Sequence, residues 1–405
     1  MKTKIIAIAI FALTAATVVY YPSVRGNVTH IVTPPAIVQN LLPVTQGVPV
    51  AAPKIEVVFV LDTTGSMSGL IQAAKDKIWS IASTMVSAQP APEISMGLVA
   101  YRDRGDAYVT KVVDLSTDLD SVYAALIDFT ADGGGDGPES VNAALYDAVH
   151  NMSWSQRDQA YQVIFLIGDA PPHMDYQDDV KYPVILASAA EKGIIVNTIQ
   201  CGNMPMTVTP WTQIASLGNG NFFQVDQAGG AVAYTTPFDD EIADLSAKLD
   251  ATRLYYGSED EKNKMALKVA ATDRFAASAS PASRARRGVF NVSAGGRTNL
   301  LGENELVDAI ASGAVTLEEI DIEALPESIK PMAPAKQKAY IAGLAEERSE
   351  LQRQIRALSS DRDGYLSKKV EEAGGRKDSL DQKLYDIVKE QGGKAGFEYE
   401  DGPAY

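Results

Sequence analysis

Asp62-Thr63-Thr64-Gly65-Ser66 is the stretch of this chain best equipped for chemistry. One carboxylate is followed by two hydroxyl side chains at alternate positions. The run is entered from Val57-Val58-Phe59-Val60-Leu61, which is apolar and too short for a buried helix. Beyond it Leu70, Ile71, Ala74, Ile78, Ile81, Ala82 and Met85 recur at intervals of three and four, which predicts a helix. A strand ending in Asp-x-Thr-x-Ser at the mouth of a helix gathers a carboxylate and two hydroxyls around one point. Such hard oxygen donors suit Mg²⁺ or Mn²⁺ better than a soft metal. A lone aspartate at a strand end serves equally as a turn former or helix cap, so the assignment needs further donors.

The order Asp-x-Thr-x-Ser resembles the Asp-x-Ser-x-Ser motif of von Willebrand factor A domains, the integrin I-like family, with Thr64 keeping the first hydroxyl. In that family the motif is the first loop of a metal-ion-dependent adhesion site, and two later loops complete it. The resemblance places the second loop at Gly133-Gly134-Gly135-Asp136-Gly137-Pro138-Glu139, ahead of the helical pattern Val141, Ala144, Leu145, Ala148. The glycines let backbone approach an ion closely. Most members carry a threonine here; the Asp-x-Pro-Glu version looks like that of integrin β subunits. It implies Glu139 as a metal ligand and Asp136 as a ligand of a neighbouring second cation. Asp136 reads equally well as a turn former. The added negative charge implies that metal binds before any partner arrives. The third loop follows Val163-Ile164-Phe165-Leu166-Ile167-Gly168, and the resemblance makes Asp169 the remaining acidic position, bound through water or a hydroxyl. Ala170-Pro171-Pro172-His173 breaks the chain after it. His173 reads as a solvated loop histidine, because hard-oxygen sites seldom recruit imidazole.

Elements to position these loops are legible on both sides. Strands are predicted at 55–61, 94–101, 109–115, 161–167, 194–200 and 222–225, with helical patterns at 67–88, 119–129, 139–151, 180–192, 209–217 and 229–251. Such alternation gives an α/β fold, a doubly wound, mainly parallel six-stranded sheet covered on both faces. The short gap between 94–101 and 109–115 permits a hairpin, hence one antiparallel edge strand. Three loops after three strands lie where open parallel sheets bind ligands. The family resemblance covers 54–250 and implies the same topology, so residues 54–251 are expected to form a von Willebrand A-like domain.

Met67 and Met96 fall on apolar faces and read as core. Cys201, the single cysteine, ends a buried-strand pattern from Ile194 and reads as a small core residue. In the hairpin gap, Arg104-Gly105-Asp106 spells an adhesion tripeptide, a match that recurs by chance. Arg102 and Asp103 beside it read as a local ion pair shaping the loop.

After Thr252 a mainly helical C-terminal region, 252–405, is expected. The basic cluster Arg284, Arg286, Arg287 reads as a solvated loop, and Gly295-Gly296-Arg297 as a turn. Thr316-Leu317-Glu318-Glu319 has capping-box form. From Pro334 a long helix is predicted by Leu344, Leu351, Ile355, Leu358 and Tyr365, although Arg348 and Arg362 at seam positions argue against a simple coiled coil. Gly374-Gly375 breaks it, and a second helix with Leu380, Leu384, Ile387 and Val388 completes an expected hairpin over 334–391. This pair reads either as packed on the first domain or as a partner-binding stalk.

At the other end, Lys2 and Lys4 precede an apolar run over residues 5–21 ended by Pro22. Residues 1–22 are therefore an export signal or an N-terminal membrane anchor. Residues 23–53 carry Pro34, Pro35, Pro43, Pro49 and Pro53, the composition of a semi-extended linker. The chain is expected to be exported, to a bacterial periplasm or cell surface, with membrane attachment through 5–21 left open. A net charge of −16 over 405 residues argues against nucleic acid as a partner.

The function expected from these readings is a metal-dependent protein-binding module of the cell envelope, not an enzyme. Mg²⁺ or Mn²⁺ held by Asp62, Thr64, Ser66, Glu139 and Asp169 would take an Asp or Glu side chain from a protein ligand, as the resemblance implies. Two alternatives stay open. Asp62-Thr63-Thr64-Gly65-Ser66 also looks like the phosphorylated Asp-Lys-Thr-Gly-Thr of haloacid dehalogenase-class pumps, with Asp62 as nucleophile, but the lysine is replaced by Thr63. The metal could instead only stiffen the loops of a structural envelope protein.

Overall fold

Alternation along the strands sends one set of side chains to each face of a six-stranded sheet of order β3-β2-β1-β4-β5-β6. In this computed structural model the strands are β1 (Lys54–Asp62), β2 (Glu93–Tyr101), β3 (Thr110–Ser116), β4 (Ala160–Gly168), β5 (Ile195–Cys201) and β6 (Asn219–Val225). The structure describes residues 53–399 apart from 136, 157–159, 228–233 and 373–379. The expectations for 1–22 and for nearly all of 23–53 lie outside them. Among the described residues no helix is long and apolar enough to cross a membrane.

All strand pairs are parallel except β2 with β3, the antiparallel edge. Ile55, Val57, Phe59 and Leu61 of β1 enter one core layer, and Val58 and Val60 the other. Both layers are covered, which is why the central strands read as unbroken apolar runs. The second layer is closed by α3 (Val141–His150), α4 (Tyr182–Lys192) and α5 (Pro205–Leu217). The first is closed by α1 (Ser68–Val86) and α2 (Leu119–Ile127) together with much of the C-terminal region.

That last point departs from the expected boundary at 252. After α6 (Asp239–Ala251) come α7 (Glu259–Ser278), α8 (Pro281–Asn291), α9 (Arg297–Leu301), α10 (Leu306–Ala311), α11 (Pro334–Glu372) and α12 (Leu380–Lys394). α7 packs on α2, and α8 on α1 and α6. Phe275 of α7 meets Trp79 of α1 edge-on at 5.5 Å and Tyr123 of α2 at 4.8 Å. Phe290 of α8 lies 5.7 Å from Trp79. The described residues belong to one compact unit.

The basic cluster is not a solvated loop. Arg286 and Arg287 are on α8 and only 3% and 2% exposed. Arg287 donates Nε to Asp120 Oδ1 at 2.6 Å and Nη1 to Asp250 Oδ2 at 2.7 Å. Burial opposes ionisation of Asp120, but the Arg287 guanidinium outweighs it and holds the carboxyl well below its usual range. The helix phase that carries Phe290 into the core carries Arg287 onto two acidic partners contributed by α2 and α6.

The seam arginines of α11 have the same explanation. Arg348 forms paired bonds to Glu305 at 2.8 and 2.9 Å and donates to Thr252 O at 2.9 Å. Arg362 donates to Asp239 at 2.9 Å. α11 thus packs on α6, α8 and α10. α12 packs on α1 and β6, with Leu384, Tyr385, Ile387 and Val388 entering the first core layer. Gln391 accepts from Tyr161 at 2.9 Å and donates to Asn197 at 2.7 Å. Glu398 pairs by backbone with Gln89. The two helices of the expected hairpin therefore dock on different elements. The side chain of Leu380 lies outside the described residues. Thr316 and Glu319 form the expected capping box, on a single 3₁₀ turn.

Candidate metal centre

From β1 the chain moves one way across the sheet to β2 and β3, then returns to the other side of β1 as β4. The crevice at such a reversal lies beyond the C-terminal ends of the strands, and Asp62 and Asp169 stand there. Asp62 is fully buried, as are Thr63 and Thr64. Its Oδ1 accepts from the Thr64 backbone N–H at 2.9 Å and from Thr64 Oγ1 at 2.6 Å. Thr64 Oγ1 and Ser66 Oγ stand 3.3 Å apart. The strand-to-helix turn has drawn the carboxylate and both hydroxyls together.

The glycine loop closes over this turn. Gly65 N–H donates to Gly133 O at 3.1 Å, and Asp132 N–H to Thr63 O at 3.1 Å. Gly134 has φ +80°, and a Cβ there would come within 3.1 Å of both Glu139 Oε1 and Thr64 Cβ. This close approach needs glycine for conformation and for space. Glu139 is 3% exposed, and its backbone N–H donates to Pro171 O at 2.9 Å, which ties the second loop to the third. Gly168 is constrained too, since a Cβ would lie 2.5 Å from the Tyr101 hydroxyl and 2.8 Å from Asp62 Cβ.

Asp169 accepts from Gln227 Nε2 at 2.7 Å, and Thr207 Oγ1 donates to its backbone oxygen at 2.7 Å. Asp62, Thr64, Ser66, Glu139 and Asp169 are therefore gathered at one crevice. Asp136 lies outside the described residues. Among the described residues no three His, Cys, Asp or Glu side chains form a metal-binding group, so the three carboxylates do not close into a cage by themselves. The donor set is mixed, with hydroxyls between the carboxylates.

Asp62 Oδ2 and Glu139 Oε2 are buried without a hydrogen-bond partner, as is the Tyr101 hydroxyl. Burial, reinforced by the charge of Asp169, pushes the Asp62 carboxyl up to about 7 despite the bonds from Thr64. Burial and the carboxylates of Asp62, Asp103, Asp106 and Asp169 push Glu139 up to about 9. Unpartnered buried carboxyl oxygens are costly, and a divalent cation would satisfy both and reverse the electrostatics. The residues fit a hard cation.

Residues that carried no motif support the crevice. Asp103 accepts from Ser140 Oγ and from the Tyr176 hydroxyl, both at 2.8 Å. Asp106 accepts from Gly134 N–H at 3.1 Å. Arg102 donates Nε to Thr63 O at 3.1 Å and Nη2 to Thr130 O at 2.6 Å, so it braces the first two loops rather than pairing with Asp103. Arg104 is bound to Asp178 at 2.9 Å and Asp179 at 2.5 Å, and Asp106 holds the glycine loop. The tripeptide is thereby used within the chain. His173 is buried, not solvated. It contacts Asp175 at 2.7 Å and Asp103 at 3.4 Å and stacks on Tyr176 at 4.0 Å. Gln227 arrives from the end of β6, and no spacing in the sequence marks it.

The von Willebrand factor A domain model matches residues 56–235. An alpha-protein kinase of Dictyostelium discoideum is 28% identical over 120 residues, 29% of this chain and 19% of the kinase. The chain thus spans about a fifth of that relative. A von Willebrand factor type A structure from Catenulispora acidiphila is 19% identical with a TM-score of 0.34, over 44% of this chain and 40% of the other. Proximal thread matrix protein 1 from the mussel byssus, with a zinc-occupied MIDAS motif, is 16% identical with a TM-score of 0.33, over 44% of this chain and 42% of that one. The family match and the strand order agree, and residues 56–235 carry a von Willebrand factor A domain.

Proposed function

We propose that this chain is a divalent-cation-dependent protein-binding module of the cell envelope, in which Mg²⁺ is held by Asp62, Thr64, Ser66, Glu139 and Asp169. The observation that carries the reading is the pair of buried, unpartnered carboxyl oxygens, Asp62 Oδ2 and Glu139 Oε2, beside two clustered hydroxyls. The hard oxygen set favours Mg²⁺ or Mn²⁺ over softer ions. When bound, the cation supplies a positive centre that takes the carboxylate of an Asp or Glu from a partner. A second cation near Asp136 belongs to the same reading. Thr64 fixes Asp62, Gly134 lets the second loop approach, and Gln227 holds Asp169 in place. No catalytic step is assigned to these residues. The apolar run at 5–21 after Lys2 and Lys4 supports export to the periplasm or cell surface, with attachment to the inner membrane where the segment is retained.

The test is retention of an envelope protein by the immobilised chain in Mg²⁺ and in EDTA, with Asp62→Ala as control. A partner held only by wild type in Mg²⁺, and lost when its own acidic residue becomes an amide, is the expected result. A partner held equally by Asp62→Ala in EDTA would overturn the reading.

A further inference from the structure

A cleft of about 510 Å³ opens between α11 and the α8–α10 segment, lined among others by Asn291, Arg297, Asp308, Arg348, Gln352 and Arg356. Its volume suits a small ligand. None of these residues belongs to the metal centre. Two of the three arginines are neutralised: Arg348 by Glu305, and Arg297 by Asp308, the acidic residue of the lining. Arg356 is different. Its guanidinium donates only to Val292 O, at 3.3 and 3.4 Å, and among the described residues no carboxylate pairs with it.

Asn291 supplies the second group. It is 2% exposed, and its Nδ2 has no partner. A relay fixes which way its amide faces. Leu119 N–H donates to Asn299 Oδ1 at 2.7 Å, so Asn299 must present Nδ2 to Asn291 Oδ1, also at 2.7 Å. Asn291 Nδ2 is therefore left over as a buried donor on a residue that lines the cleft. A buried donor without an acceptor is rare enough to ask for one, and the remaining cation stands in the same lining.

We propose that the cleft is a binding site for a small organic anion, whose carboxylate or phosphate group is taken by the Arg356 guanidinium and Asn291 Nδ2. A planar guanidinium matches both oxyanions through paired, charge-assisted bonds. The site is independent of the cation reading at Asp62.

The test is calorimetric titration of the full chain with inorganic phosphate and with succinate at constant ionic strength, repeated on Arg356→Gln and Asn291→Asp. The aspartate keeps the acceptor that Asn299 needs and puts a carboxylate where the donor was. The expected result is saturable binding of at least one anion, weakened about tenfold or more in each variant, since each loses a charge-assisted or buried bond. Phosphate binding assigns a phosphate ester, and succinate binding a carboxylate. Near-UV circular dichroism checks the fold, and where Asn291→Asp disturbs it Arg356→Gln decides, because Arg356 is exposed and its replacement leaves the packing intact. No saturable binding of either anion, or wild-type affinity in Arg356→Gln, would overturn the proposal.

Discussion

Asp62 and Glu139 sit where burial and neighbouring carboxylates hold their protons on, at about 7 and about 9. Both values lie above those of an unfolded chain, so without metal the folded state binds more protons than the unfolded one from mildly acidic pH upward. The stability these groups contribute is present at low pH and is lost as pH rises through those two values. In EDTA, thermal stability is therefore expected to fall between pH 6 and pH 9, and the stabilisation by added Mg²⁺ to grow over the same range. Melting curves at each pH, with and without Mg²⁺, check this; an EDTA profile that rises across the window would contradict it. Ser66 is exposed and its hydroxyl meets the buried Thr64 Oγ1 only at a long 3.3 Å, so Ser66→Ala should keep the fold and lose about tenfold or more in cation affinity. Gly168→Ala should cost about 1–3 kcal/mol by urea unfolding, because the new methyl meets Tyr101 and Asp62.

At the scale of elements, the strand-and-helix alternation over 54–251 was legible because central strands buried on both faces show as apolar runs and their helices keep a 3.6 period. All six strands fall within a few residues of their expected positions. Less legible were the groups whose partners lie far off in sequence. Arg287 finds Asp120 across 167 residues, and nothing local separates a buried paired arginine from a solvated one. His173 reads as solvated in the sequence because hard-oxygen sites seldom recruit imidazole, yet Tyr176 and Asp103 cover it. Gln227 carries no motif, and its use depends on β6 ending beside β5. Arg287→Ala would leave Asp120 as an uncompensated buried charge, at a cost of about 3–5 kcal/mol. A urea unfolding curve measures it, and a loss below about 1 kcal/mol, as for a surface pair, would contradict the assignment.

For the whole molecule, the boundary at 252 is one of composition and not of packing. Composition changes there because the later helices are charged on their outer faces, while Phe275, Phe290, Leu384 and Ile387 join the core formed by α1 and the sheet. A fragment of residues 54–251 would expose the α1 face, including Trp79, which is fully buried in the whole chain. Such a fragment is expected to show weak near-UV ellipticity and to bind a hydrophobic dye, whereas residues 54–405 should give a native spectrum. A fragment 54–251 as stable as the longer chain would contradict the packing described for α7, α8 and α12.

The most direct test of the central claim is calorimetric titration of Mg²⁺ into the full chain and into Asp62→Ala, with near-UV spectra of both. Saturable binding by the wild type, accompanied by proton release and absent from a folded Asp62→Ala, is the predicted result. A wild type that binds no Mg²⁺ at millimolar concentration, or an Asp62→Ala variant that binds it equally well, would contradict the account.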